Sequence, residues 1–280
     1  SLYCRRILLL GLKGMPAAVF IKLLSFNNVQ IVANIGGIEW ERPQFSSIQQ
    51  RYLKFCFYLA NNFCKKIVLD NEHYLAYYDD VAEWQKKLTV IPYGGAIDTS
   101  LSVEDHFLTN KYPFLKLSFF LSVSRSIEDN KLEELCNYFE KMPDANLVLI
   151  SNLSNSKYGR DVMHRFSSIS NIYLVDGLYD KAELDCVRRA CQAYIHTHTL
   201  CGSAPSLIEM IVAGRPILSI DVPQNRYTLK GSGFMFADFC NLDNLVHKAD
   251  LSDYICPPAV ASSYEWPHVV RQYRNCFLED

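Results

Sequence analysis

The chain has 280 residues, 49% of them hydrophobic, 21% charged and 13% aromatic, with a net charge of −2 from 28 basic and 30 acidic side chains. That much apolar material excludes a disordered chain, and the near-neutral balance excludes broad nucleic-acid binding, which needs a basic surface. One large core or two domains of roughly 100 to 150 residues fit this length, two being favoured.

In chain order, strands are expected at Arg6 to Leu10, Val29 to Asn34, Lys66 to Asp70 and Leu88 to Ile91, with Gly11, Gly36-Gly37 and Gly94-Gly95 at turns. Ser46 to Cys64 is the longest expected helix, carrying Tyr52, Phe55, Cys56 and Leu59 on one stripe. Asp98 to Pro113 has breaker residues and no period, which places a domain boundary there: residues 1–108, then 109–256, then a terminal segment 257–280. Beyond it, strands are expected at Ser118 to Ser124, Asn146 to Ile150, Asn171 to Val175, Ala193 to His196, Pro216 to Ile220 and Gly233 to Phe236. Helical spacing in Lys131 to Lys141, Asp180 to Cys191 and Ser206 to Ala213 alternates with them. Such alternation predicts a doubly wound parallel α/β domain, whose ligands bind beyond the carboxyl ends of the strands. After Pro257-Pro258, Ser262 to Phe277 reads as one aromatic helix that must dock on the body of the protein.

The ten cysteines contain no C-x-x-C pair and read as free thiols of a reducing compartment. The start of the chain lacks the order of a signal peptide, and the apolar runs Met15 to Leu24 and Phe114 to Val123 are short and interrupted by lysines. A cytoplasmic protein is expected. Arg51, Lys54, Lys65 and Lys66 beside aromatic residues would let the helix Ser46 to Lys66 touch anionic lipid, although a core helix with a charged rim is the favoured reading.

Chemistry-bearing residues concentrate after two strands. Arg125 follows the strand ending near Ser124, where a guanidinium can grip a phosphate; a surface pair with Glu128 or Asp129 is the alternative. Asn130 and Lys131 follow, and Lys131 can reach the same anion. His196 and His198 end a later strand, and Gly202, Ser203, Pro205 and Ser206 lead into a helix whose amino end suits a diphosphate. Glu209, a turn further on, can accept hydrogen bonds from a ribose diol or simply complement the helix dipole. No local spacing supplies a further ligand to the two histidines, so no metal is expected, and His198 reads as a donor to phosphate or sugar. In the first half Asn34, Gly36 and Gly37 let a ligand approach the backbone, and Glu39 can hold or deprotonate a hydroxyl. P-loop, nucleophile-elbow and dinucleotide fingerprints are absent from the sequence.

Several blocks resemble the bacterial two-domain GT-B glycosyltransferases related to retaining family four, in the rhamnosyltransferase-like branch. They are Asn-Ile-Gly-Gly-Ile-Glu-Trp-Glu-Arg at 34–42, Ile-Pro-Tyr-Gly at 91–94, Ser-Val-Ser-Arg-Ser-Ile-Glu-Asp-Asn at 122–130, the stretch 196–209, Asp-Val-Pro-Gln-Asn-Arg at 221–226 and the aromatic tail. The resemblance implies two Rossmann-like domains, the first incomplete, with the terminal helix packing back on the first. It implies transfer of a sugar such as rhamnose from a nucleoside diphosphate donor, with dTDP-rhamnose a candidate, to a lipid-linked or surface glycan without a bound metal or other cofactor. In that frame Arg125 stabilises the leaving diphosphate, Glu209 holds the donor ribose, Gly202 to Ser206 cradles phosphate, and Asn225 and Arg226 lie near the donor. Cys201 stands where the superfamily has a further glutamate, Asn130 where it often has lysine, and Gly36 where the branch usually reads aspartate. A GT-B first domain also has more strands, so about two with their helices are expected before Ser1. These departures leave open a catalytically silent subunit of a glycan-synthesis complex.

Overall fold

The computed structural model describes residues 5–38, 40, 45–78 and 86–278. Within them the chain forms two compact units, one of residues 1–93 with 266–280, the other of residues 94–265. The divisions fall at 93/94 and 265/266 rather than at 108/109 and 256/257, and local packing explains both. The Gly95 amide donates to the Tyr264 carbonyl at 2.7 Å, and a Cβ on Gly95 would sit 3.1 Å from Ile208 and Val212. The Asp98 amide donates to Asp185 at 2.8 Å. The stretch read as a linker is therefore bound into the second unit.

The first unit contains β1 (Arg6–Leu10), α1 (Met15–Leu24), β2 (Gln30–Gly36), α2 (Ser47–Phe63), β3 (Lys66–Leu69) and β4 (Leu88–Val90). Its parallel sheet runs in the order β1-β2-β3-β4. Alternation along β2 sends Ile31, Ala33 and Ile35 into a core with Leu12, Met15, Leu53 and Cys56, and Val32 to the opposite face with Val68 and Ile91. Ser46 caps α2 through a reciprocal pair of bonds with Gln49. The buried stripe of α2 is Leu53, Cys56 and Ala60; of the expected stripe Cys56 is buried and Leu59 packs against the core, but Tyr52 and Phe55 face solvent, because the residues that meet the core lie one step around the helix.

The second unit contains α3 (His106–Lys111), β5 (Phe119–Val123), α4 (Leu132–Glu140), β6 (Asn146–Ser151), α5 (Lys157–Phe166), β7 (Ile172–Asp176), α6 (Lys181–Ala190), β8 (Ala193–His196), α7 (Pro205–Val212), β9 (Ile217–Ile220), α8 (Pro223–Leu229), β10 (Phe234–Phe236) and α9 (Pro258–Ser263). All strands are parallel, in the order β10-β9-β8-β5-β6-β7. The order reverses between β5 and β8, as doubly wound sheets require. Both sheet faces are covered: Phe120, Leu147 and Ile195 pack under α4 and α5, while Phe119, Val148 and Tyr194 pack with α6 and α7.

The tail is two helices rather than one. Tyr264, nearly buried, donates its hydroxyl to the Thr228 carbonyl at 2.8 Å and ends α9 inside the second unit. The second helix, α10 (Trp266–Leu278), lays Val269, Tyr273, Cys276 and Phe277 on the first sheet beside Val32, Val68 and Ile91. No helix among the described residues is long and apolar enough to cross a membrane.

Candidate functional site

Adjacent parallel strands that lead off in opposite directions leave a gap beyond their carboxyl ends, and here those strands are β5 and β8. Arg125 lies just past β5 and is exposed. Among the described residues it makes no ion pair, so the pairing with Glu128 or Asp129 that the sequence left open is not formed.

Hydrogen bonds hold the surrounding loops in place. The Asn130 carboxamide donates to the Arg125 carbonyl at 2.8 Å, and the Asn130 carbonyl accepts from the Thr197 hydroxyl. Thr199 donates its amide and hydroxyl to the Asp129 carbonyl at 3.2 and 3.0 Å. From α8 the fully buried Asn225 donates to the carbonyls of His198 at 3.2 Å and Ile220 at 3.1 Å. Asn130 and Asn225, both expected at the donor, thus use their amides on the protein itself, Asn130 within the loop after β5 and Asn225 joining the segments after β8 and β9. Lys131 stands at the start of α4 with φ +51°.

His196 is completely buried, with Nδ1 3.3 Å from the Tyr194 hydroxyl, which lies 3.2 Å from the Val123 carbonyl. The His196 and His198 rings are 4.2 Å apart. Burial pushes both imidazoles well below their ordinary pKa, His198 to about 4 with help from the Arg125 charge, so both are neutral at pH 7. Neither Nε2 has a hydrogen-bond partner. Cys201 brings its sulfur to this pair, one donor atom of each of the three residues lying within 4.8 Å of the others. The expectation that the histidines have no third companion is thereby corrected: a loop, not a continuing strand, follows His196 and turns Cys201 back.

At the start of α7, Ala204 offers no side-chain cap and Pro205 occupies the first turn. Gly202 and Ser203 are buried before it, and Ser206 is half-buried. Glu209 is engaged: its Oε2 accepts from Arg188, which is 3% exposed and also binds Asp185 at 2.6 Å. Lys181 completes the chain of charges at 2.5 Å from Asp185. Burial raises the Glu209 carboxyl above its ordinary range, opposed by Arg188 and Lys181. Sequence reasoning missed Arg188, although Lys181, Asp185 and Arg188 at i, i+4 and i+7 share one face of α6.

Arg226 is exposed and bound to Asp221 through two bonds, one of 2.6 Å, so its charge is already answered. In the first unit the Asn34 carboxamide donates to the Tyr273 hydroxyl at 2.5 Å and accepts from the Gly36 amide at 2.8 Å. Gly36, with φ +63°, turns the chain out of β2, and Gly37 is buried. Glu39 lies outside the described residues.

Anabaena HepE, in complex with UDP and glucose, superposes with a TM-score of 0.74 at 15% identity over 98% of this chain and 78% of that one. The chain has the GT-B glycosyltransferase fold. Sucrose-phosphate synthase from Thermosynechococcus elongatus matches with a TM-score of 0.71 at 15% identity, over 99% and 74% of the two chains. The pneumococcal O-GlcNAc transferase GtfA, in complex with UDP and GlcNAc, matches at 0.66 and 14% identity over 98% and 57%. No protein-family model and no curated protein sequence matches the chain.

Proposed function

We propose that the chain is a glycosyltransferase that moves a sugar from a nucleoside diphosphate donor bound at the second unit to a lipid-linked or surface glycan. The observation that carries this is an exposed guanidinium, Arg125, without an ion pair among the described residues, at the point where the strand order reverses. As the diphosphate leaves, negative charge grows on its oxygens. A guanidinium carried on a loop whose backbone is fixed by the Asn130 bond to the Arg125 carbonyl, with the uncapped amides of α7, can stabilise that charge. Neutral His198 can donate to a phosphate or sugar oxygen, and the Glu209 oxygen not held by Arg188 can accept from a ribose hydroxyl. None of these steps calls on a metal. HepE and GtfA hold UDP in their crystals, whereas the sequence blocks favour a deoxyhexose donor such as dTDP-rhamnose.

Thermal shift with dTDP, UDP and GDP, beside Arg125→Ala and Glu209→Gln, tests this reading and names the base. Loss of one charge-assisted contact is expected to weaken binding by about 1.5–3 kcal/mol, roughly 10- to 100-fold. Well-folded protein that binds none of the three would refute it and favour a catalytically silent subunit. We also infer peripheral membrane contact, supported by the outer face of α2, where Arg51 and Lys54 lie among exposed Ile48, Tyr52, Phe55 and Tyr58. Vesicles rich in anionic lipid that fail to sediment the protein at low salt would end that idea.

A further inference from the structure

We propose that His196, His198 and Cys201 form a three-ligand binding site for a thiophilic d-block cation, with zinc the best match, beyond the carboxyl end of β8. The site shares His198 with the donor reading, which itself needs no metal, so a bound cation would take up that imidazole.

The three side chains lie within six residues, and one donor atom from each is within 4.8 Å of the others. Zinc bonds of about 2.0–2.1 Å to nitrogen and 2.3 Å to sulfur put tetrahedral ligands roughly 3.3–3.7 Å apart. Binding requires the donor atoms to draw together by up to about 1.5 Å, and Gly202 lies directly after the cysteine. Both histidines carry a buried Nε2 with no hydrogen-bond partner, an arrangement that costs stability unless something binds there. His196 is also oriented in the manner of metal-binding histidines. Its Nδ1 meets the Tyr194 hydroxyl at 3.3 Å, and that hydroxyl can pass its own proton to the Val123 carbonyl at 3.2 Å. This chain of bonds places the Nδ1 proton and leaves Nε2 as the ligating lone pair.

The donor chemistry narrows the ion. Two imidazoles and a thiolate suit zinc and its neighbours, whereas magnesium, calcium and manganese prefer oxygen. Three protein ligands leave a fourth position for water or an anion. The proposal therefore predicts a single site with an exchangeable ligand.

Chelator-treated protein, without nucleotide, is titrated with cobalt(II) and the visible and near-ultraviolet spectra are recorded. The expected result is one equivalent bound with tetrahedral d–d bands and a thiolate-to-cobalt band, bleached by zinc. Cys201→Ser is expected to lose the thiolate band, and His198→Gln to bind at least about tenfold more weakly while melting as the wild type does. Zinc is expected to slow alkylation of Cys201 and not that of exposed Cys240, a readout that needs no variant. A wild-type spectrum that stays octahedral, a thiolate band surviving in Cys201→Ser, or Cys201 alkylation unchanged by zinc would overturn the proposal. Nucleotide binding, measured separately on the chelator-treated protein, reports on the donor reading alone.

Discussion

Arg188→Ala removes the cation that Glu209 and Asp185 share. Asp185 keeps Lys181 and the Asp98 amide, but Glu209, a quarter exposed, is left without a bonded partner among the described residues. Breaking a buried pair from one side costs about 3–5 kcal/mol. Water reaching Glu209 and the surviving bonds of Asp185 put this case near the lower end, about 3 kcal/mol, which for a unit of this size lowers Tm by roughly 6–12 °C. The variant that adds Glu209→Gln is expected to recover part of the loss, since no charge is then stranded beside Arg188's place. The pH dependence has a definite sign. Burial holds the Glu209 pKa above 4.5 and Arg188 opposes this, so the folded chain binds the proton more tightly than the unfolded chain. Ionised Glu209 therefore costs stability as pH rises through the folded pKa, and without Arg188 that pKa moves higher and the cost at neutral pH grows. Asp185, held below its ordinary value against the opposing effect of burial, changes in the same sense when it loses one of its partners. Thermal unfolding by circular dichroism near pH 7.5 and near pH 5 should show the deficit of Arg188→Ala shrinking on acidification. A Tm loss below about 2 °C, or a deficit that grows on acidification, would refute the account.

Tyr273→Phe leaves the buried Asn34 amide without its hydroxyl partner and is expected to lower stability by about 1–2 kcal/mol, read as a lower urea midpoint; an unchanged midpoint would show that α10 is held by its apolar side chains alone. Gly36→Ala has open space for its Cβ but inherits φ +63°, so a loss of about 1 kcal/mol with an unchanged m-value is expected, and a neutral result would contradict the left-handed turn. Burial pushes the thiols of Cys64, Cys136 and Cys191 up to about 12. Native protein treated with iodoacetamide near pH 8 should therefore be alkylated at exposed Cys240 before these three, as peptide mass spectrometry can check.

The ten strands among the described residues lie within a residue or two of where apolar runs and turn glycines put them, because for the strands buried on both faces of a parallel sheet there is no other place for such runs. The helices were less legible. α1, α3, α5 and α8 went unread as helices; few apolar residues mark α5 and α8, and α5 instead starts on the Ser156 cap with Gly159 pressed so close to Leu153 that a Cβ would lie 2.3 Å from its carbonyl oxygen. At the site, Arg125 was legible from its position one step past a strand. The employment of Asn130, Asn225, Arg226 and Glu209 was not, since each answers to a partner from 5 to 27 residues away.

What the sequence determined by itself is the repeating strand and helix order, and with it a doubly wound second unit whose ligand end carries Arg125 and the two histidines. Periodicity is local, and burial acts on it residue by residue. Which carboxylate stays open, which amide joins two loops and which cysteine meets the histidine pair were decided only by tertiary structure. Those outcomes depend on distances between segments that no spacing along the chain encodes: Arg188 reaches Glu209 across two helices, Tyr273 reaches Asn34 from the far end of the chain, and Cys201 comes back to His196 and His198 through a loop.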